Sequence, residues 1–166
     1  AEARKEADTA RVWMKSARLE WVQGNLEEAR KMLLDGVASH VDEPKLWMMR
    51  GQIEVQTGNI DLAREFYARG RKNCPQDVAV WLLSARLEME QGNVTRARSL
   101  LEKGRTVVLV CPELWIEGCR VETQSGNLQA AKSLMSKALQ NPMIMSYGAV
   151  HAEAIFMEVK AARRTK

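Results

Sequence analysis

The chain has 166 residues, 46% of them hydrophobic and 28% charged, with 4 prolines and 10 glycines. Such a composition excludes a disordered or low-complexity chain, because enough apolar surface is present to offset the entropy of ordering. The net charge of +4 is mild and its positive residues are scattered, whereas a nucleic-acid footprint is a concentrated patch or stripe; direct RNA contact is left open and is not indicated.

Residues 1–8 are polar and helix-favouring, with Asp8 and Thr9 as candidate N-caps. From about 9 to 23, Val12, Trp13, Ala17, Leu19 and Val22 recur at helical spacing and predict a first helix. Gly24-Asn25 follows, and it returns as Gly58-Asn59, Gly92-Asn93 and Gly126-Asn127. Gly closes a helix in the left-handed conformation, and Asn is expected to cap the next helix through its side chain. In the first repeat, Asn25 with Glu28 resembles a capping box. A two-residue connection forces the flanking helices into an antiparallel hairpin. Second helices are predicted from Leu26 to about His40 and near 60–73, 94–108 and 128–140.

The period is set by tryptophan. Trp13, Trp47, Trp81 and Trp115 are each 34 positions apart, and a Glu stands seven residues after each, at Glu20, Glu54, Glu88 and Glu122. A fixed period in this range is the signature of a repeat architecture. Ala29, Ala63, Ala97 and Ala131 share one place in the second helix, and Gly36, Gly70, Gly104 and Ala138 share another. Ala17, Gly51, Ala85 and Cys119 lie four after each Trp. A mid-helix Gly costs roughly 1 kcal/mol relative to Ala, so its return marks a crowded packing site. Links between repeats carry Pro44, Pro75, Pro112 and Pro142, which cannot continue the previous helix.

Two places depart from the ruler. Val107–Cys111 is an unbroken apolar run in a link, expected to lie buried under the following repeat, the alternative being an exposed contact for another chain. The last link is longer by two, so alignment of Glu158 with the other repeat glutamates puts His151 in the Trp place. The helix at about 146–162 then begins a fifth repeat. The chain starts at Ala1 without Met and stops partway through that repeat, which suggests a fragment of a longer protein. One domain over residues 1–166 is expected, with repeats at about 9–42, 43–76, 77–110 and 111–144 and a half repeat at 145–166.

Residues with chemical potential do not assemble into a reaction centre. The two histidines, His40 and His151, are far apart in sequence, and a zinc site needs clustered Cys and His ligands. No phosphate-binding glycine loop is present, since every Gly-Asn pair is a helix junction. Cys74, Cys111 and Cys119 are an odd count without metal-ligand spacing, which fits a reducing compartment; Cys119 takes a small packing position and reads as a buried thiol. No 18-residue apolar run exists, so no membrane span is expected. Neither catalytic, metal nor cofactor-binding residues are proposed. Trp21, an extra aromatic, is expected to pack on its own second helix.

A 34-residue helix–turn–helix with Trp, then small residues, then Ala resembles the tetratricopeptide repeat. Leu33, Tyr67, Leu101 and Met135 fill its large apolar place, and Pro75 its terminal Pro. The position seven after the Trp disagrees: that motif carries Tyr where this chain carries Glu20, Glu54, Glu88, Glu122 and Glu158. Trp with that Glu, followed by Gly and then Ala29-Arg30, Ala63-Arg64, Ala97-Arg98 and Ala131-Lys132, is similar to the half-a-TPR (HAT) repeat of RNA-processing proteins. The resemblance covers essentially the whole chain. It implies an all-α, right-handed α-solenoid (superhelix) of antiparallel helix–turn–helix HAT/TPR-like repeats. It also implies a nuclear, non-catalytic scaffold of pre-mRNA splicing that bridges snRNP particles in the tri-snRNP, with other spliceosomal snRNP proteins as partners and self-association open.

The repeated Glu falls in the last turn of its helix, where a carboxylate opposes the macrodipole at a cost of roughly 0.3–1 kcal/mol. A cation should offset that: Arg30, Arg64, Arg98 or Lys132 of a second helix, or a group on a neighbouring repeat, with Arg98 for Glu88 as the test pair. Two other binding modes are weighed. A peptide clamp would draw on residues such as Lys15, Arg50 and Arg86, and RNA contact on Arg69, Arg71, Lys72, Lys103 and Arg105. The latter sit in last turns of second helices, where cations are favourable anyway.

Overall fold

The computed structural model describes residues 9–164, and side chains to residue 158. Among the described residues are nine α-helices: α1 Ala10–Gln23, α2 Leu26–Ser39, α3 Pro44–Gln56, α4 Ile60–Asn73, α5 Val78–Glu90, α6 Val94–Val107, α7 Pro112–Gln124, α8 Leu128–Gln140 and α9 Gly148–Arg164. The class is all-α, a helical-repeat solenoid type built of hairpins, and the helix limits fall within two residues of those read from the periodicity. Two compact units divide the chain, residues 1–84 and 85–166, with the boundary inside α5.

Each hairpin is closed in one way. Gly24, Gly58, Gly92 and Gly126 all have φ between 75° and 86°, a region that a side chain with Cβ resists by roughly 1–2 kcal/mol. The following Asn N–H then reaches back to the carbonyl of the repeated Glu: Asn25 to Glu20 at 2.9 Å, Asn59 to Glu54 at 2.8 Å, Asn93 to Glu88 at 2.8 Å and Asn127 to Glu122 at 2.9 Å. With the Gly N–H on the carbonyl three residues back, this is the six-to-one closure of a Schellman motif. The expectation that each Asn side chain caps the next helix holds only at Asn127, whose Oδ1 accepts from Ala130 N–H at 3.3 Å. Asn25, Asn59 and Asn93 make no side-chain cap, and so Asn25 builds no capping box with Glu28. Their amides donate to Glu instead, Asn25 to Glu20 and Asn59 to Glu54 at 2.8 Å and Asn93 to Glu88 at 3.0 Å. A carboxylate five residues back is the stronger acceptor, and the charge-assisted bond wins. Thr9, in the N-cap place of α1, likewise caps nothing with its hydroxyl; Asp8 lies outside the described residues.

In the first unit the core is Ala17, Ala29, Leu33, Val37, Leu46, Trp47, Ile53 and Phe66. The small residues serve close helix approach. A Cβ on Gly36 would lie 3.1 Å from Trp13 Cβ, and one on Gly70 would lie 3.1 Å from Trp47 Cβ, so each second helix seats its glycine against its own repeat's Trp. A Cβ on Gly51 would fall 2.2 Å from the ring of Tyr67. Trp47 and Trp81 are buried, and their Nε1–H groups donate to Val41 O and Pro75 O at 2.8 Å. Trp13 and Trp115 are half-buried.

In the second unit Ile116, Cys119, Met135, Ala138, Ile144 and Val150 form the core around α7, α8 and α9. His151 stands in the Trp place on α9, and its Nε2 is 2.7 Å from Met145 O. That contact repeats the six-residue reach of Trp47 and Trp81, so the imidazole keeps the link-closing hydrogen bond and gives up the aromatic bulk. The Val107–Cys111 run is not buried as a whole: Leu109 is 68% exposed and Val110 41%, and only Cys111 is enclosed. The chain bends at 108–110, which turns those two side chains outward.

Candidate interaction surfaces

The repeated charges are spent on joining one repeat to the next. Glu54, 1% exposed, accepts from Arg30 of the preceding second helix at 3.1 and 3.0 Å, and from Arg50 one turn back on its own helix. Arg30 also reaches Thr57 Oγ1 at 2.8 Å. Arg98 holds Glu122 in the same two-pronged way, at 2.5 and 2.7 Å, and Lys132 reaches Glu158 at 3.5 Å. The hydrogen bond to Glu122 raises the Arg98 pKa. The direction of pairing is therefore forward: the cation of one repeat meets the Glu of the next. Arg98 sits on Glu122 and not on Glu88, which receives Asn93 and lies 3.7 Å from Arg96. Arg64 bonds Asp61 at 2.8 Å.

Arg50 is itself buried, with its guanidinium 4.4 Å from the centre of the Phe66 ring. Its Nε has no hydrogen-bond partner, and burial lowers its pKa. As a clamp candidate it is withdrawn into the first unit's core. Arg86, another, is paired with Glu117 at 2.8 and 3.0 Å; Lys15 is exposed. Among the residues considered for RNA, Arg71 bonds Ser84 Oγ and lies over Trp81 at 5.5 Å. Arg105 donates to Leu114 O at 3.3 Å and lies over Trp115 at 5.0 Å, and burial lowers its pKa. Arg69 pairs with Glu65. Only Lys72 and Lys103 stand simply exposed, which leaves no basic stripe from this set.

A second ladder went unread in the sequence. Arg86 grips Glu117, Arg120 lies 3.9 Å from Glu117, and Arg120 bonds Glu153 at 2.7 Å. The bonds to Glu117 and Glu153 raise the pKa of Arg86 and Arg120. The signal is an Arg five after the Trp place and a Glu two after the next one. It was hard to find because the equivalent places nearer the N-terminus hold Met49, Gln52 and Leu83, which break the period. Beside this ladder, Arg120, Thr123, Gln124, Glu153, Phe156 and Met157 line a recess of about 420 Å³ between α7 and α9. Phe156 is 58% exposed. A surface with fixed charges and an exposed ring suits contact with another polypeptide.

Burial takes the thiols out of play as nucleophiles. It pushes Cys119 up to about 12 and Cys111 up to about 11, far from the thiolate form that reacts; Cys74 is also raised, first by burial. Cys119 packs in the hairpin with Sγ 3.7 Å from Ala131 O. Trp21 lies against the first core, which includes Ala29 and Leu33 of its own second helix, and its Nε1–H donates to Gln56 on the next repeat's first helix at 2.5 Å. Among the described residues no group of three His, Cys, Asp or Glu is placed to hold a metal, and no helix is long and apolar enough to cross a membrane.

Comparison with known proteins agrees with this geometry at the level of the fold. A tetratricopeptide repeat model matches residues 14–78. The chain is similar to a tetratricopeptide repeat protein from Parabacteroides merdae ATCC 43184, with a TM-score of 0.63 at 14% identity over 90% of this chain. It spans 59% of that structure's length. No curated protein matches the sequence. Repeat period, hairpin closure and structural likeness together give this chain a helical-repeat fold like that of tetratricopeptide repeat proteins.

Proposed function

We propose that the chain is a non-catalytic protein–protein interaction scaffold working in a nuclear pre-mRNA splicing assembly, where it bridges snRNP particles of the tri-snRNP. The observation that carries the interaction reading is the face between α7 and α9. There a ladder of fixed charges borders an exposed aromatic recess, while the repeated Glu and Arg residues are consumed inside the array. The splicing setting rests on the half-a-TPR resemblance: Glu54, Glu88 and Glu122 in place of Tyr, with Arg30, Arg64 and Arg98 after the second-helix Ala. Forward pairing of Arg30 with Glu54 and Arg98 with Glu122 gives both halves of that pattern one physical purpose. The alternative is a tetratricopeptide-type peptide-binding module, for which the same recess is the seat.

Affinity purification from nuclear extract, with the wild-type chain and Phe156→Asp side by side, tests this. Recovery of snRNP proteins by the wild type and their loss with the variant supports the scaffold. Recovery of chaperones alone, or of one peptide ligand, favours the module; no protein recovered by either chain removes both readings.

A further inference from the structure

One position separates two otherwise matching arginines. Arg71 and Arg105 stand 34 apart, in the last turns of α4 and α6. Each lies over a Trp, Arg71 on Trp81 at 5.5 Å and Arg105 on Trp115 at 5.0 Å. Arg71 donates to Ser84 Oγ, and that hydroxyl donates in turn to Val80 O at 2.7 Å. In the second unit Gly118 stands in the Ser84 place and offers no side-chain acceptor. Arg105 therefore reaches to Leu114 O, the counterpart of Val80 O, at 3.3 Å. Its remaining N–H groups have no acceptor among the described residues, and they are not sealed from solvent.

That guanidinium lines a pocket of about 320 Å³ in the second unit, between α6 and α8, which both pack on α7. A Cβ on Gly118 would lie 2.8 Å from Arg105 Nη1 and 2.8 Å from Leu134 Cδ2, so the bare glycine is what leaves the pocket floor open. In the first unit the same place holds Arg50, packed against Phe66. The charged and hydroxyl groups around the pocket are Arg98, Arg105, Lys137 and Ser133, against Glu102 and Glu122. Arg98 already occupies Glu122 with two hydrogen bonds. Exposed Lys137 pairs with no carboxylate among the described residues. Two cations on different helices thus face one cavity, with exposed Glu102 alone to oppose them. Burial already disfavours the Arg105 charge, a cost that an anion in the pocket would offset.

We propose that the pocket between α6 and α8 is a binding site for a phosphate group, held by the Arg105 fork, Lys137 and Ser133. A planar carboxylate that fills the fork of one guanidinium has both its oxygens engaged there. A phosphomonoester carries a third acceptor oxygen and more charge, and so can bridge Arg105 on α6 to Lys137 on α8. A phosphorylated side chain of a partner polypeptide and the free ion share this chemistry. The pocket lies outside the α7–α9 face and does not depend on it.

The whole chain, labelled with nitrogen-15, is titrated with three probes: a capped glycine–phosphoserine–glycine peptide, the same peptide with glutamate in place of phosphoserine, and inorganic phosphate. Binding is read at the backbone N–H groups that line the pocket and at the Arg105 Nε–H. The phosphoserine peptide is expected to saturate, about tenfold more tightly than the glutamate peptide. Lys137→Glu should weaken it about tenfold, the loss expected for one charge-assisted hydrogen bond. Gly118→Ser, which supplies the hydroxyl that Arg71 uses, should weaken it by a similar factor. Lys103→Glu, an equal charge change on exposed α6 surface outside the pocket, should leave it unchanged. Circular dichroism checks that each variant keeps its helices, and Lys137→Glu decides alone if Gly118→Ser does not fold. Tighter binding of the phosphoserine peptide than of inorganic phosphate assigns the group to a partner's side chain, and the reverse order assigns it to the free ion; either supports the site. Absence of saturation by both, equal affinity for the glutamate peptide, equal binding by the wild type and a folded Gly118→Ser, or equal losses from Lys137→Glu and Lys103→Glu overturns it.

Discussion

At the scale of single residues, the small side chains are as informative as the tryptophans. Gly51 is the clearest, because a methyl group there would enter the ring of Tyr67, which is itself 2% exposed and has no room to retreat. Gly51→Ala is expected to destabilise the protein by about 1–3 kcal/mol, although Ala is the better helix former, as read by urea denaturation. The buried thiols give a pH prediction. A thiol whose folded pKa is about 12 against an unfolded value of about 8.5 contributes stability that is complete below about pH 8.5 and is lost as pH rises toward 12. Cys119→Ala should flatten the decline in stability across that alkaline range, measured as the slope of the denaturation midpoint against pH. Much of this was legible in advance: Ala17, Gly51, Ala85 and Cys119 announced a tight contact by their spacing. The burial of Arg50 was not, since a lone Arg on a helix reads as surface until Phe66 and Glu54 are seen closing over it.

At the scale of elements, the hairpin junction does more than turn the chain. Gly supplies the left-handed residue, the Asn N–H closes the first helix, and the Asn amide fixes the Glu carboxylate that the neighbouring repeat then uses. Gly92 has φ of 75° and open space around its α-carbon, so Gly92→Ala should cost about 1–2 kcal/mol from backbone strain alone, as seen in thermal denaturation. The pairing of helices was only half readable. The residue types were readable, Glu near the end of one helix and Arg at the fifth place of another, but not which repeat's Arg meets which Glu, because stacking order is a matter of three-dimensional register. The outcome is specific. A double-mutant cycle on Arg98 and Glu122 should give a coupling of about 0.5–1 kcal/mol, modest because Arg98 is 39% exposed. The cycle on Arg98 and Glu88 should give coupling near zero.

At the scale of the whole molecule, stability in a repeat protein is approximately a sum of terms within repeats and between neighbours, and here the between-neighbour term has a chemical identity. The fold class was legible from the 34-residue ruler, and so was the economy of function: an array of hairpins offers surfaces and grooves. The particular surfaces were not legible, because the places of Arg86, Glu117, Arg120 and Glu153 hold Met49, Gln52 and Leu83 in earlier repeats, and Leu109 and Val110 look like core in a linear reading. What joins the repeats is best seen at Glu54, where one buried carboxylate serves Arg30 from the previous hairpin and Arg50 from its own helix. Removing its charge takes the anion from buried Arg50 and leaves Arg30 only the exposed Glu27, a loss of about 3–5 kcal/mol. The most direct measurement is hydrogen exchange of Glu54→Gln, resolved by helix. Faster exchange is predicted in α2 as well as in α3 and α4, because the link between hairpins is lost; protection of α2 at the wild-type level, with change confined to α3 and α4, would contradict it.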